Sequence, residues 1–167
     1  GKRRSILSTL PLYTADRELL KQILKRNKIS EERQKDILEY AEAQKLRVIK
    51  ILETKILEDE IPIVTKDEFA AHPQVLELSG IFCETDITYS YEEYMSHLTM
   101  TEEFAASHSN YKLLKASIPA FRNLQILIHE DQWVMVSKSK APAIHFVIRH
   151  PKLRKAIENF IPPVIDK

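Results

Sequence analysis

Residues 124–149, LQILIHEDQWVMVSKSKAPAIHFVIR, decide the fold, because they hold three strand patterns separated by two short polar loops. Consecutive strands with such short links are typical of an antiparallel meander. Pro151 follows and begins a helix, since proline is favoured at the first helical position. The three predicted strands are Leu124–His129, Trp133–Ser137 and Ile144–Arg149.

A long amphipathic helix is predicted in the first third of the chain. Ser30 is a good N-cap, Glu31 and Glu32 follow where the helix dipole favours acids, and no glycine or proline occurs up to Glu58. At about 100° per residue the apolar side chains share one broad face, and Arg47 falls on the opposite side.

Together these patterns predict an α+β fold. Residues 1–60 form a helical arm for dimerisation or linkage, with one long amphipathic helix. Residues 61–167 form a sensor-like α+β domain, a small antiparallel sheet flanked by short helices. Further strands are expected at Gln74–Leu78 and Gly80–Thr88. Capping boxes predict helix starts at Thr65-x-x-Glu68, Ser90-x-x-Glu93 and Thr99-x-x-Glu102.

Composition excludes the commonest nucleotide-binding motifs. A dinucleotide-binding G-x-G-x-x-G, a P-loop and a nucleophile elbow need glycines at fixed spacing, and Gly80 is the only internal glycine. The net charge of +1 gives no overall attraction to nucleic acid or membrane. With a single cysteine, Cys83, and no apolar run of about 18 residues, we expect a cytoplasmic protein without membrane contact.

Neither a metal site nor a catalytic residue is predicted. The 6 histidines show no H-E-x-x-H or H-x-H spacing, and a C-x-x-C pair is impossible with one cysteine. Cys83 lies in an apolar pattern, where a free cysteine is usually a small buried hydrophobe. We therefore expect no catalytic residue, no metal and no cofactor.

The long helix carries the predicted dimer interface. Its apolar face is wide, and a domain of this size is not expected to cover all of it, while large exposed apolar patches mark interfaces. A homodimer with this helix at or near the interface is therefore expected. The predicted interface residues are Ile37, Leu38, Val48, Ile49, Leu52 and Ile56.

A ligand site is predicted on the last strand of the meander. Alternation places Ile144, Phe146 and Ile148 on a core face and His145, Val147 and Arg149 on the other. Arginine offers a bidentate fork and histidine a switchable donor, which suits a small anionic ligand. Trp133 on the neighbouring strand is expected to wall the site, and Tyr89 to add a hydroxyl. The alternative is that Arg149 pairs with an acidic surface residue and His145 faces water.

Two segments resemble bacterial transcription regulators. Leu19–Lys45, above all ISEERQKDILEYAE at residues 29–42, is similar to the helical segment after the DNA-binding domain of XRE-type, Cro-like regulators. Asn110–Phe160, with PAIHFVI and HPKLRKAIENF, resembles the C-terminal sensor domains of helix-turn-helix regulators. The resemblance implies a C-terminal dimerisation and sensor domain. DNA contact is then expected only through a domain upstream of Gly1.

The expected function is thus a non-catalytic regulatory domain of a bacterial transcription regulator, which dimerises and senses a small ligand or partner. Two alternatives stay open: a small-molecule enzyme that uses a pocket on the sheet, and a protein-interaction module without a ligand. Grouped polar side chains in a deep pocket favour the enzyme. A dry, flat sheet face favours the interaction module.

Overall fold

A computed structural model describes residues 2–78, 85–116, 124–138 and 144–161. Cys83 and the first part of the predicted strand Gly80–Thr88 therefore lie outside the described residues. The strands are β1 (Lys2–Ile6), β2 (Ile56–Pro62), β3 (Tyr111–Ala116), β4 (Leu124–His129), β5 (Trp133–Lys138) and β6 (Ile144–Ile148). The helices are α1 (Arg17–Arg26), α2 (Glu31–Leu52), α3 (Lys66–Ala71), α4 (Tyr91–Ser107) and α5 (Pro151–Phe160), and a short 3-10 helix spans Leu12–Thr14.

The strands form one mixed sheet in the order β3-β2-β1-β4-β5-β6. β1 and β3 run parallel to β2, whereas β4, β5 and β6 form the predicted antiparallel meander beside β1. The α+β class with a long helix is confirmed. The sheet is larger than predicted and is not wholly antiparallel, because β1 was left unassigned and β2 was partly predicted as helix. The segment of β3 was predicted as extended, and it joins this half by pairing in parallel with β2.

The N-terminal part of the chain enters the centre of this sheet. The helix predicted to reach Glu58 ends at Leu52, and β2 begins at Ile56. Glu58 and Glu60 alternate along β2 and face basic residues of β1, with Lys2 Nζ 2.8 Å from Glu58 and Arg4 3.9 Å from Glu60. The predicted domain boundary at residue 60 falls inside β2, so both predicted parts supply strands to the sheet.

The two faces of the sheet pack differently. On one face, Ile6, Ile126 and Val134 form a small core with α5, through Ile157 and Ile161. The other face lies under the helical layer, whose main core joins α1, α2 and α4.

One predicted core face is wrong. Ile144 and Phe146 of β6 are 46% and 64% exposed. β6 is an edge strand of the described sheet, and α5 packs on β5 instead.

The capping predictions hold at three helices. Ser30 caps α2, and complete capping boxes begin α3 at Thr65 and α4 at Ser90. The box predicted at Thr99 is wrong because this residue lies inside α4, where its hydroxyl donates to the Met95 carbonyl. A hydroxyl that bonds back to the preceding turn gives no capping.

A buried polar network fixes the 3-10 helix against α4. His97 of α4 is fully buried, with Nε2 3.0 Å from the Pro11 carbonyl oxygen and 2.9 Å from Thr14 Oγ1. Its Nδ1 lies 2.7 Å from the Tyr89 hydroxyl. Because a carbonyl oxygen only accepts, Nε2 carries the proton and Nδ1 accepts from Tyr89. The segment after β1 is thereby held in place.

Burial lowers the pKa of His97 to about 4, so the ring is neutral near pH 7. The unfolded chain binds this proton at the ordinary pKa of 6.5, whereas the folded chain does so only near 4. Stability that depends on the neutral ring is therefore lost as the pH falls through this window. Between pH 6.5 and 4, we expect wild type to lose up to about 3 kcal/mol of unfolding free energy relative to His97→Gln.

Urea unfolding of both proteins across this pH range measures the difference. All other titrating groups are common to the two proteins, so subtraction isolates His97. A difference that does not change with pH would show that the ring is not held neutral by burial.

Candidate functional site

A cavity of about 460 Å³ lies between α2 and the helical-layer face of the sheet. It is within the size range of small-molecule sites. The wall opposite the sheet is formed by four residues of α2. They are spaced four, three and four positions apart, so they lie on one face of the helix and form a stripe. The stripe consists of Tyr40, Gln44, Arg47 and Ile51.

The alternation of side chains along the strands determines which residues form the sheet side of the cavity. On β1, Arg3 and Ser5 face the helical layer, and Ser5 pairs with Asp59 of β2 on one side and Leu127 of β4 on the other. The next row toward the sheet edge passes from Gln125 through Ser137 to His145. The cavity thus rests on strands from both halves of the sheet.

Asp59 forms the buried floor of the cavity. Its side chain is 2% exposed, and its Oδ2 accepts hydrogen bonds from the hydroxyls of Tyr13 and Tyr111, the latter at 2.9 Å. Burial raises the pKa of Asp59 to about 6, and hydrogen bonds from Tyr13, Tyr111 and Ser5 oppose that rise. The carboxylate is therefore charged at neutral pH, although it has little contact with water.

Two guanidinium groups, those of Arg3 and Arg47, line the cavity and interact electrostatically. The Arg3 Cζ atom lies 5.9 Å from the centroid of the Trp133 ring, a cation–π geometry. The pKa of Arg3 is lowered, first by burial and then by the positive charge of Arg47. Arg3 Nε is buried and has no hydrogen-bond partner among the described residues. Two like charges here favour an anion between them.

A buried carboxylate and a half-buried tyrosine also belong to the cavity wall. Glu77 is 6% exposed, and both it and Tyr40 line the cavity. The pKa of Tyr40 is raised, mainly by burial and then by the charge of Glu77. The charge of Glu77 also contributes to raising the pKa of Asp59 and of Tyr89.

The structure brings together only part of the predicted ligand site. His145 lines the cavity, with its Nδ1 2.7 Å from Ser137 Oγ. Trp133 is not part of the cavity wall, but its ring lies under Arg3, which is. Arg149 is exposed and is not part of the cavity wall. Tyr89 lies within the helical core, where its hydroxyl bonds His97.

Sequence analysis missed the main charged groups of the cavity. Arg47 was placed on the solvent side of the long helix, and β1 and β2 were not predicted as strands. Alternation in Leu57-Glu58-Asp59-Glu60-Ile61 was the available signal, since it places Asp59 with two apolar residues on one face. The absence of glycine and proline up to Glu58 favoured a continued helix instead.

Most of the predicted dimer residues pack within the chain itself. Ile37, Leu38, Val48 and Leu52 are each at most 7% exposed, because α2 covers the sheet and α1. Ile49 is partly buried beside them, and Ile56 is 39% exposed. The homodimer stays a prediction, with less of this helix face available than expected. Other exposed large apolar residues lie mainly on β6 and α5, namely Ile144, Phe146, Val147, Leu153 and Phe160.

Within the described ranges, no group of three or more His, Cys, Asp or Glu side chains is placed to hold a metal ion. In the same ranges, no helix has the length and apolar character to span a membrane.

Comparison of the chain with family models, with curated proteins and with solved structures finds no match. The resemblance to XRE-type regulators therefore stays a prediction.

The hydrogen bonds to Asp59 are testable through its titration. Replacing Tyr111 by Phe removes a donor that stabilises the charged carboxylate, so the pKa of Asp59 should rise above about 6. Stability at pH 7 should fall by about 1–3 kcal/mol, since a buried charged acceptor loses one of its donors. Carboxyl-carbon NMR titration and urea unfolding measure the two effects.

Tyr94→Phe is the matched control, because Tyr94 is also buried but packs on Phe69 and Tyr89. Its replacement should leave the titration of Asp59 unchanged. Equal pKa shifts in both variants would mean that general loosening of the core, and not the hydrogen bond, controls Asp59.

Proposed function

We propose that this chain is a non-catalytic regulatory domain of a bacterial transcription regulator and that it senses a small polar ligand in the cavity. The observation that carries the proposal is a cavity on the sheet lined by two guanidinium groups and two buried carboxylates, from Arg3, Arg47, Asp59 and Glu77. Cavities with an apolar lining and a few convergent polar groups are typical of small-molecule sites.

Polar atoms without partners support a ligand at this place. Gln44 Oε1 and Gln125 Nε2 line the cavity, are buried and lack hydrogen-bond partners among the described residues, as does Arg3 Nε. Each such atom costs about 1–3 kcal/mol if it stays unsatisfied. A polar ligand supplies these partners and recovers that free energy.

The bonding of Asp59 favours binding over catalysis. A general base needs a lone pair directed at its substrate, whereas Asp59 accepts from Tyr13, Tyr111 and Ser5. The alternative of a small-molecule enzyme rests on the same carboxylate, whose raised pKa of about 6 suits proton transfer. The two functions differ in whether the bound ligand is consumed.

The wider parts of the proposal rest on the sequence. The resemblance of residues 29–42 and 110–160 to XRE-type regulators supports transcription regulation, and a single cysteine fits a reducing, cytoplasmic compartment. DNA contact then belongs to an upstream domain of the regulator.

A ligand-observed NMR screen of small polar metabolites, covering carboxylates, phosphates, amines and amino acids, tests the sensing proposal. Hits should disappear with Ile51→Trp, because Ile51 lines the cavity and a larger side chain there fills it. They should persist with Leu46→Trp, since Leu46 is on the same helix, 65% exposed and outside the cavity wall.

Hits that are insensitive to Ile51→Trp, or the absence of any hit, would contradict a ligand-sensing cavity. A hit that wild type converts into a new compound, and Ile51→Trp does not, would establish the enzyme instead.

The proposed homodimer is tested by sedimentation of the wild-type chain at high micromolar concentration. If the predicted interface is correct, Ile56→Lys should shift the chain toward monomer, because Ile56 is the predicted interface residue that is exposed, at 39%. Phe146→Lys on β6 is the control for surface apolar residues elsewhere. A wild-type monomer, or dissociation by the β6 variant alone, would overturn the predicted interface.

A further inference from the structure

The last turns of α2 lie over the edge of the sheet at which β1 and β2 begin. Three residues connect α2 to β2, and the parallel strands β1 and β2 pair from their first residues onward. Val48 of α2 packs in one core cluster with Leu57, the residue of β2 that pairs with Arg3. Arg47, next to Val48, lines the cavity together with Arg3. Chain connectivity and packing therefore bring the two guanidinium groups to the same part of the cavity.

Lys55 adds a third cation at this edge of the sheet. It lies in the connection between α2 and β2, and its Nζ is 3.3 Å from His129 Nε2. His129 is the residue of β4 that pairs with Arg3. Because an ammonium group only donates, His129 accepts this hydrogen bond and holds Lys55 beside Arg3. We call Arg3, Arg47 and Lys55 the cation cluster.

The cation cluster lacks a directly paired carboxylate. On the other face of the sheet, Lys2 and Arg4 pair with carboxylates of β2. In the described part of the chain, no residue of the cation cluster forms such an ion pair. Burial and then the positive charge of Arg47 lower the pKa of Arg3. Three like charges in a partly buried place repel one another, and a bound anion relieves that repulsion.

We propose that the cavity binds an amphipathic oxyanion, whose carboxylate or phosphate head lies at the cation cluster and whose apolar body lies between α2 and the sheet. This inference rests on the proposed ligand-sensing function and specifies the chemical class of the ligand.

The guanidinium groups suit an oxyanion head. The Arg3 guanidinium lies over the Trp133 ring, and its Nε is a buried atom without a hydrogen-bond partner among the described residues. Arg47 is exposed on α2 and adds a second fork from the opposite wall. Arginine forks bind carboxylate and phosphate oxygens in a bidentate manner.

The rest of the cavity suits an apolar body. Asp59 accepts hydrogen bonds from two tyrosines, and Glu77 has an interaction partner of its own, so neither carboxylate requires a cation from the ligand. Burial of an apolar body against aliphatic side chains adds affinity in proportion to the area removed from water. The apolar part of the wall includes Leu7, Val48, Ile51, Leu57, Leu127 and Met135.

Four small probes test the two halves of the inference. 3-Phenylpropanoate carries both an oxyanion head and an apolar body. 3-Phenylpropanamide and 3-phenylpropylamine keep the body with a neutral or a cationic head, and acetate keeps only the head. In NMR titrations of the 15N-labelled chain at neutral pH, 3-phenylpropanoate should bind at least about tenfold more tightly than each of the others. Ile51→Trp, which fills the cavity, should abolish its binding.

Benzyl phosphate distinguishes the two oxyanion heads, because it has as many atoms between ring and head as 3-phenylpropanoate. The tighter of the two identifies the head as phosphate or carboxylate, and either result supports an oxyanion.

The double variant Arg47→Gln, Lys55→Gln tests the cation cluster, since these side chains are exposed and partly exposed. The affinity ratio of 3-phenylpropanoate to 3-phenylpropanamide should fall by about tenfold, toward one. Any loosening of the fold weakens both ligands and cancels in this ratio. Lys45→Gln is the matched control, because it removes an exposed cation of α2 that does not line the cavity. It should leave the ratio unchanged.

Equal or tighter binding of the amide or the amine would overturn the oxyanion head, as would a double variant with the wild-type ratio. Acetate that binds as tightly as 3-phenylpropanoate would overturn the apolar body, and the absence of binding by every probe would overturn both. The sensing function is judged separately by the metabolite screen with Ile51→Trp. Hits there that are all neutral or cationic would remove the oxyanion while the sensing function stands.

Discussion

The burial of one carboxylate, Asp59, constrains the centre of the molecule. A charged group that is 2% exposed needs hydrogen bonds in place of water, and it obtains them from Tyr13, Tyr111 and Ser5. These donors come from the 3-10 helix, β3 and β1, segments that lie far apart along the chain. Satisfying Asp59 therefore requires the sheet and the segment after β1 to assemble together.

The 3-10 helix connects this carboxylate to the helical layer. Tyr13 donates to Asp59, while the adjacent Thr14 lies 2.9 Å from His97 and 2.8 Å from Thr101 of α4. Two buried polar networks thus meet in one short turn. The cavity lies beside it, between the sheet and α2, so its floor is held by the same contacts that position α4.

The residues of α2 are divided between the core of the chain and the wall of the cavity. Its apolar residues Ile37, Val48 and Leu52 pack within the chain, while Tyr40, Gln44 and Arg47 line the cavity. A helix that appeared from its sequence to offer a wide interface is thus largely occupied by its own domain. The exposed apolar residues of the described chain lie mainly elsewhere, on β6 and α5.

The sequence by itself determined the elements whose signals are local: α2 with its Ser30 cap, the capping boxes at Thr65 and Ser90, and the meander of β4, β5 and β6. It also placed His145 and Trp133 on one side of the meander. Only the tertiary structure decided that Glu58, Asp59 and Glu60 lie in a strand, because their stability there comes from Lys2, Arg4 and two tyrosines distant in sequence. Only the tertiary structure likewise decided that Arg47 lines a cavity. Hydrophobic periodicity does not specify the packing partners that determine whether a helix face meets solvent or a sheet.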